Sequence, residues 1–540
     1  MRLPLTVADF LDRAVQVYPE RTALVDEPGV AGSLGRITYA ELAGRARCLA
    51  EGLQRLGVPR GGRVAIVSPN SGRFLTAFFG VSAYGRVLVP INYRLQPEEI
   101  GYIVEHSGAE VLLVDPDQES LTAGLPVRHR IVLDGQADAE LFGDHLPPEQ
   151  RRTTQPTWSA PLPGEEDAVV EEDDTCSINY TSGTTARPKG VQLTHRNCWL
   201  NAVVLGWHTQ LSDRDRYLHT LPMFHCNGWG MPYGLTGMGC PQVVQRKVDG
   251  EQILQRVEQE GVTLLSGAPA VVAAILGAAA TRLERGEALP GRDRVRMVVA
   301  GAPPPSRVIE RLETELGWEF IQIYGLTETS PLLTVNRAPA EWAGLDSAER
   351  ARRLSRAGTP AVGVRLQLAP DGEVLAQANH VFAGYWRQPE ASAEALAGGW
   401  FHTGDGGHFE VDGPENGQAA GRTSLVISDR KKDVIITGGE NVSSIEVEDC
   451  LYQHPAVAEA AVIGVPDERW GETVKALVVL KEGATATPED LIAHCRDRLA
   501  HFKCPTSVEL RESLPRTATG KLQKFKLRAE YWAGRDRLVN

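Results

Sequence analysis

Lysine is scarce in this chain: ten of the 56 basic residues are lysine, and the first 188 residues hold seventeen arginines and no lysine. Any one lysine can fall where it does by chance. Where guanidinium is the default cation, though, a lone ammonium marks a place suited to a compact, mobile charge rather than a planar fork. Lysines stand alone at 189 and 247, then cluster between 431 and 526. A basic surplus is also missing. The 69 acidic residues leave a net charge of −13, which argues against a nucleic-acid partner. Long apolar runs are absent too: the longest small-and-apolar stretch, 268–280, falls short of the roughly 20 residues that span a bilayer. The opening MRLPLTVADFLDRA lacks the apolar core of a secretory signal. The closing RDRLVN is neither a prenylation nor a peroxisomal signal, so a cytoplasmic protein is expected. The eight cysteines (48, 176, 198, 226, 240, 450, 495 and 504) form no CxxC pair, and reduced thiols are expected rather than disulfides or a zinc site.

What is present is ordinary globular composition, 42% hydrophobic and 23% charged over 540 residues, enough for three or four lobes at one per ~150 residues. Residues 42–56 carry apolar side chains at helical spacing, 63–67 read as a strand, 74–84 as a helix and 87–91 as another strand. Such alternation predicts mostly parallel sheets covered by helices. Residues 134–174, rich in Pro, Glu and Asp, read as a surface connection. The α/β pattern resumes at Cys176, with buried strands over 262–266 and 295–300 and a helix over 306–316. A turn-rich loop, VDGPENGQAAGRTS, precedes an expected boundary at 428. Beyond it, strands over 460–465 and 474–480 and a helix over 488–499 make a unit small enough to move independently. There are no internal repeats.

The first of the two isolated lysines closes a distinctive segment, YTSGTTARPKG, residues 180–190. Small residues let backbone N–H groups approach an anion, the hydroxyls add donors, and Lys189 adds a mobile positive charge. The segment follows an apparent strand, 176–179, so it leaves a sheet at a carboxyl end, where α/β folds place ligands. The spacing is not that of a Walker loop, and a Ser/Thr/Gly stretch by itself is as readily a plain turn.

The segment resembles the signature loop of the adenylate-forming superfamily, which comprises acyl-CoA synthetases, peptide-synthetase adenylation domains and luciferases. It departs from the pattern at Ala186, where glycine is common. Further segments carry the same resemblance in order: LVPINYRL (88–95), LPMFHCNGW (221–229), AGAPPP (300–305), YGLTETSP (324–331), WFHTGDGG (400–407), DRKKDVIITGGENVSSIEVE (429–448) and LPRTATGKLQK (514–524). The implied fold is α/β, with a large N-terminal domain (residues 1–428) of stacked mixed sheets and helices. A small mobile α+β C-terminal domain (residues 429–540) follows, with its hinge near Lys432.

The resemblance also implies roles. Adenylation needs neutralised phosphates and a positioned Mg2+ while a carboxylate attacks the α-phosphate of ATP. Thr181, Ser182, Gly183, Thr184, Thr185 and Lys189 would hold the leaving phosphates, and Glu328, with Thr181, the metal. Gly301, Ala302, Gln322, Tyr324, Gly325 and Thr327 would surround the adenine and α-phosphate. Asp405, otherwise a turn residue, and Arg430, otherwise part of a solvated charged run, would meet the ribose. Lys521, otherwise an exposed lysine, matches the one that bridges carboxylate and α-phosphate. Gly438 and Gly439 suit the pantetheine arm of CoA or a plain hairpin. In LPMFHCNGW, His225 matches a residue beside the carboxylate and Trp229 an acyl-tunnel gate, with core packing as the alternative for His225.

The leading expectation is a medium- or long-chain fatty acid–CoA ligase using ATP, Mg2+ and CoA, with AMP as product. Family members are often homodimers, and the sequence itself carries no sign of oligomeric state. The alternative is an adenylating ligase of specialised metabolism acting on an aryl acid or another oxyanion, or with a carrier-protein or non-thiol acceptor. A silent scaffold homologue would lack motif residues, and Lys189, Glu328, Asp405, Arg430 and Lys521 are all present.

Overall fold

The computed structural model of the chain describes residues 1–181, 187–301, 304–412, 421–430, 433–437, 440–467, 470–516 and 522–532, with Arg430 and Asn441 described by their backbones alone. Short apolar runs become neighbouring parallel strands of a seven-stranded sheet: Arg63–Val67, buried from Val64 onward, and Val87–Ile91, buried throughout. A strand covered on both faces has no need of alternating polarity. From edge to edge the order is Gly384–Tyr385, Lys189–Thr194, Thr175–Thr181, Val87–Ile91, Arg63–Val67, Ala109–Val114 and His129–Val132. The pairings are antiparallel only at the Lys189–Thr194 side.

A nine-stranded sheet is built in the same way. Its parallel centre runs Glu319–Tyr324, Arg296–Val299, Leu264–Gly267, Tyr217–His219, Gln242–Val244 and Thr22–Val25. Helices fill the space between the two sheets. Tyr39–Arg55 opens with a reciprocal capping box between Thr38 and Glu41. Gly72–Ser82 is buried along its whole length, as its sequence GRFLTAFFGVS allows. It begins ahead of the expected residue 74 because the Ser71 hydroxyl caps Phe74 N at 3.1 Å. The two helices touch at Gly80, where any side chain would come within 2.8 Å of Ala46 O. Phe78 and Phe79 both meet Tyr233 edge-on, at 5.4 and 5.7 Å, which joins the helices to Met231–Met238 in one core.

Residues 134–174 are more than a surface connection. Phe142 is fully buried, Asp138 is buried against Arg73, and Glu165 holds the buried Arg86 at 2.6 Å. Asp144 bridges Arg45 at 2.6 Å and also meets Arg73. Each anchor is a single residue, so no periodicity announces it. The expected helix over 306–316 narrows to Ser306–Arg311 and widens into a π-turn over Leu312–Leu316.

A third, four-stranded antiparallel sheet orders Arg365–Leu368, Glu373–Gln377, Phe401–Val411 and Thr423–Arg430. The last sheet has five strands: Glu440–Val442, Ile435–Thr437, Gly471–Leu480, Val457–Asp467 and, parallel to the third of these, Ser507–Leu510. Helices Ser444–Tyr452, Pro488–Arg496 and Lys524–Trp532 accompany it. This smaller unit leans on the large one through Asp449, which accepts Ser306 N at 3.0 Å, and through Arg307, which donates to Gln453 O at 3.2 Å.

Where the chain passes between them lies a buried ionic cluster. The Lys524 ammonium sits 2.8 Å from Glu448 and 3.9 Å from Asp429, whose other oxygen accepts Ser444 N at 2.7 Å. Burial works to lower the pKa of Lys524, and the charges of Glu448 and Asp429 outweigh it and raise the value.

Candidate active site

Thr181 ends one strand and Lys189 opens the next, and the two are cross-strand partners, so the segment between them leaves and returns at a single point. Ser182, Gly183, Thr184, Thr185 and Ala186 lie outside the described residues. The Lys189 ammonium stands 4.7 Å over the ring of Tyr385, whose strand pairs with that of Lys189. The Tyr385 hydroxyl in turn donates to Glu328 Oε1 at 2.9 Å. Burial, then the Glu328 charge, raises the Tyr385 pKa above the usual phenol range, so the group stays a donor. Glu328 lies on the short turn Thr327–Thr329, with its carbonyl accepting Phe382 N at 2.8 Å. Gly325 precedes this turn, and any side chain there would fall 1.6 Å from Pro331 O. Lys189, Tyr385 and Glu328 thus form a line from one sheet edge to the end of a strand in the other sheet. Tyr385 has no local signature in the sequence, since its two-residue strand is defined only by its partner.

Gln322 and Tyr324 lie on the strand Glu319–Tyr324, with Gln322 beside Val299, and Gly301 follows at φ +94°. Gln322 Oε1 is buried without a hydrogen-bond partner among the described residues. The Tyr324 hydroxyl donates to Asp405 at 2.8 Å, and Asp405 is the cross-strand partner of Arg430. Ala302, Lys432, Gly438, Gly439 and Lys521 lie outside the described residues.

The segment after strand Tyr217–His219 comes against the turn that carries Glu328. His225 is half-buried, and Phe224 meets Tyr93 edge-on at 5.7 Å. The next five residues, Cys226–Gly230, all have positive φ (38°, 42°, 56°, 60° and 74°), a left-handed turn. Three of them are not glycine, at about 1–2 kcal/mol each for an L-residue in that region. Cys226 Sγ lies 3.8 Å from Thr327 O, which joins this turn to that of Glu328. Trp229 is 3% exposed.

The donors fit a magnesium ion. Among the described residues no three His, Cys, Asp or Glu side chains form a metal centre. Mg2+ characteristically takes one or two protein oxygens and fills its shell with water and phosphate, and the Glu328 carboxylate is a donor of that kind. All eight cysteines are free, and seven are buried. No helix among the described residues is long and apolar enough to cross a membrane.

Thr181 and Lys189, on the strands that flank residues 182–186, Glu328, reached through Tyr385, and the Tyr324–Asp405 pair are supplied by three sheets of the large unit and the turns at their ends. The AMP-binding enzyme model matches residues 11–386 and its C-terminal domain model matches 446–521, and the chain belongs to this family. It is 35% identical to a 2-methylpropanoate–CoA ligase of Humulus lupulus, over 97% of this chain and 95% of that protein. It is 36% identical to 4-hydroxybutyrate–CoA ligase 2 of Metallosphaera sedula, over 97% and 94%. Among solved structures it is similar to an anthranilate CoA ligase in complex with anthranoyl-AMP, with a TM-score of 0.82, 27% identity and 98% of both chains covered. Enzymes of this family adenylate with ATP, release AMP and form CoA thioesters.

Proposed function

We propose that this chain is an AMP-forming carboxylic acid–CoA ligase, with its two domains meeting at 428/429 and a hinge at Lys432. In the first step a carboxylate oxygen bonds to the α-phosphorus of ATP as the bond to pyrophosphate breaks. In the second, the CoA sulfur bonds to the acyl carbon and AMP leaves. The observation that carries this reading is the line Lys189–Tyr385–Glu328. It sets a cation and a carboxylate on one phenol, the pairing of charges that a triphosphate and its metal call for. Thr181, Ser182, Gly183, Thr184, Thr185 and Lys189 hold the leaving phosphates. Glu328 and Thr181 would hold Mg2+, which when bound neutralises phosphate charge. Gly301, Ala302, Gln322, Tyr324, Gly325 and Thr327 enclose adenine and α-phosphate, and Asp405 and Arg430 take the ribose hydroxyls. Lys521 meets the charge that develops between acid and α-phosphate. His225 and Trp229 line the acid, and Gly438 and Gly439 line the pantetheine path.

For the acid, a compact molecule, short aliphatic or single-ring, is the first reading. It is supported by the closed position of Trp229, 3% exposed, and by relatives that take 2-methylpropanoate and 4-hydroxybutyrate. A medium or long chain is the second, supported by the likeness of LPMFHCNGW to a gated tunnel, and it requires Trp229 to swing away. Pyrophosphate release across a panel of short, aryl and long-chain acids, with and without CoA, separates them. Turnover confined to aliphatic acids of eight or more carbons overturns the first reading, and release with no carboxylic acid overturns the ligase assignment.

A further inference from the structure

The left-handed turn Cys226–Gly230 is held by side-chain amides from two other elements. Asn227 N donates to Asn179 Oδ1 at 3.2 Å, and Asn227 Nδ2 donates to Ser177 Oγ at 2.9 Å. Asn179 Nδ2 donates to the same hydroxyl at 3.1 Å, so Ser177 and the two asparagines close a small network on strand Thr175–Thr181. At the far end Asn201, on helix His195–Thr209, donates to Trp229 O at 3.0 Å and accepts Leu332 N at 3.3 Å. Gly230 makes this possible, because a side chain there would lie 2.5 Å from Asn201 Nδ2. Upstream, Asn70 accepts Met223 N at 2.7 Å and donates to His219 O and Leu221 O at 2.9 and 3.0 Å. Asn70, Ser177, Asn179, Asn201 and Asn227 are all buried. Asn70, Asn179 and Asn201 each bond to the backbone of residues 219–230, and Asn227 ties the turn to Ser177 through its own side chain.

A turn whose residues prefer other φ values persists only where its surroundings over-determine it. Asparagine suits both demands here, since it tolerates positive φ better than other non-glycine residues and carries a donor and an acceptor. We propose that Asn179, Asn201 and Asn227 are positioning residues that set which acids the enzyme accepts, by holding Trp229 in its left-handed turn against the site. The inference rests on the reading that His225 and Trp229 line the acid. The three asparagines bond to none of the residues assigned to ATP, so their loss should fall first on the acid.

The test compares Asn227→Ala, Asn227→Gly, Asn179→Ala, Asn201→Ala and the double variant Asn179→Ala/Asn227→Ala with the parent enzyme. Pyrophosphate release gives KM for a series of acids of increasing size and, separately, KM for ATP. The alanine variants should raise KM for the best acid about tenfold or shift the preferred acid to a larger one, with KM for ATP within about twofold. Asn227→Gly should stay nearer the parent than Asn227→Ala, because glycine keeps the turn while losing the amide. The double variant should fall short of the two single effects combined, as partners in one network do. Unchanged acid KM in variants that melt like the parent overturns the proposal, as does an equal rise in both KM values. If the alanine variants do not fold, Asn227→Gly and Asn179→Ser decide on the same readouts. Trp229→Ala tests the parent reading independently: an unchanged acid series removes that reading, whereas a changed series with inert asparagine variants removes only this proposal.

Discussion

Tyr385 donates its phenolic hydrogen to Glu328 while its ring faces the Lys189 ammonium, so one side chain touches both charges on the phosphate side of the site. A hydrogen bond to a buried carboxylate contributes about 1.5–3 kcal/mol, and its loss frees Glu328 to turn. Tyr385→Phe should therefore lower kcat/KM for ATP by about tenfold or more and raise the Mg2+ needed for half-maximal rate. A steady-state titration of each checks this, with KM for the acid as internal control. Lys521→Ala belongs at the same scale. It should abolish pyrophosphate release yet leave thioester formation from supplied acyl-adenylate and CoA, and equal loss of both would refute the assignment. Lys189 and Glu328 can be singled out in the sequence because each sits in a run of telling neighbours. Tyr385 and the four asparagines cannot, since their partners come from distant strands and an isolated Asn or Tyr has many ordinary uses.

Strands and helices were legible wherever one residue class repeats. The buried run Arg63–Val67 and the apolar helix Gly72–Ser82 announce themselves. The anchors of residues 134–174 do not, because Asp138, Asp144 and Glu165 read as solvated charges until Arg73, Arg45 and Arg86 are seen opposite them. Helix Lys524–Trp532 poses the same difficulty. Lys524 stands in a run of exposed-looking basic residues, yet it neutralises Glu448 and Asp429 at the junction of the two domains. Removing one partner of a buried ionic group leaves the others uncompensated, at about 3 kcal/mol. Lys524→Met should accordingly lower the melting temperature of the smaller unit and expose sites beyond residue 429 to protease. Limited proteolysis followed by mass spectrometry would show whether the large domain survives intact.

Across the whole molecule, acid sensitivity follows from histidines held neutral in the core. Burial pushes His219 down to about 4, against a smaller upward effect of its hydrogen bond to Gln242, and burial likewise takes His195 to about 4. The ordinary value is near 6.5. Each therefore contributes stability that is fully present above pH 6.5 and is lost as pH falls towards 4, about 3 kcal/mol apiece. Asp12, pushed up to about 6 by burial, works in the opposite sense over part of that range, as do Asp9, Asp26 and Asp138, also raised by burial, whereas His106, His208, His380 and His494, lowered by burial, act with His195 and His219. His219→Gln should make urea-unfolding stability fall less steeply between pH 6.5 and 4.5, by about one proton. An unchanged slope would show that His219 does not titrate on unfolding.

The alkaline limit has a different origin. Inside the large domain the buried cations Arg73 and Arg86 are guanidinium groups, which keep their charge at any pH a folded protein meets. The smaller unit relies on an amine. With its pKa raised in the fold, Lys524 stabilises at and below the ordinary lysine value, and that share is lost as pH rises through the higher folded value. Base should therefore undo this protein from one end, loosening the smaller unit while the large domain still stands. Circular dichroism of the parent and Lys524→Arg at rising pH would show it, the arginine form holding longer. The bias against lysine in the large domain and the buried lysine at the joint are together a statement about tolerance to alkali.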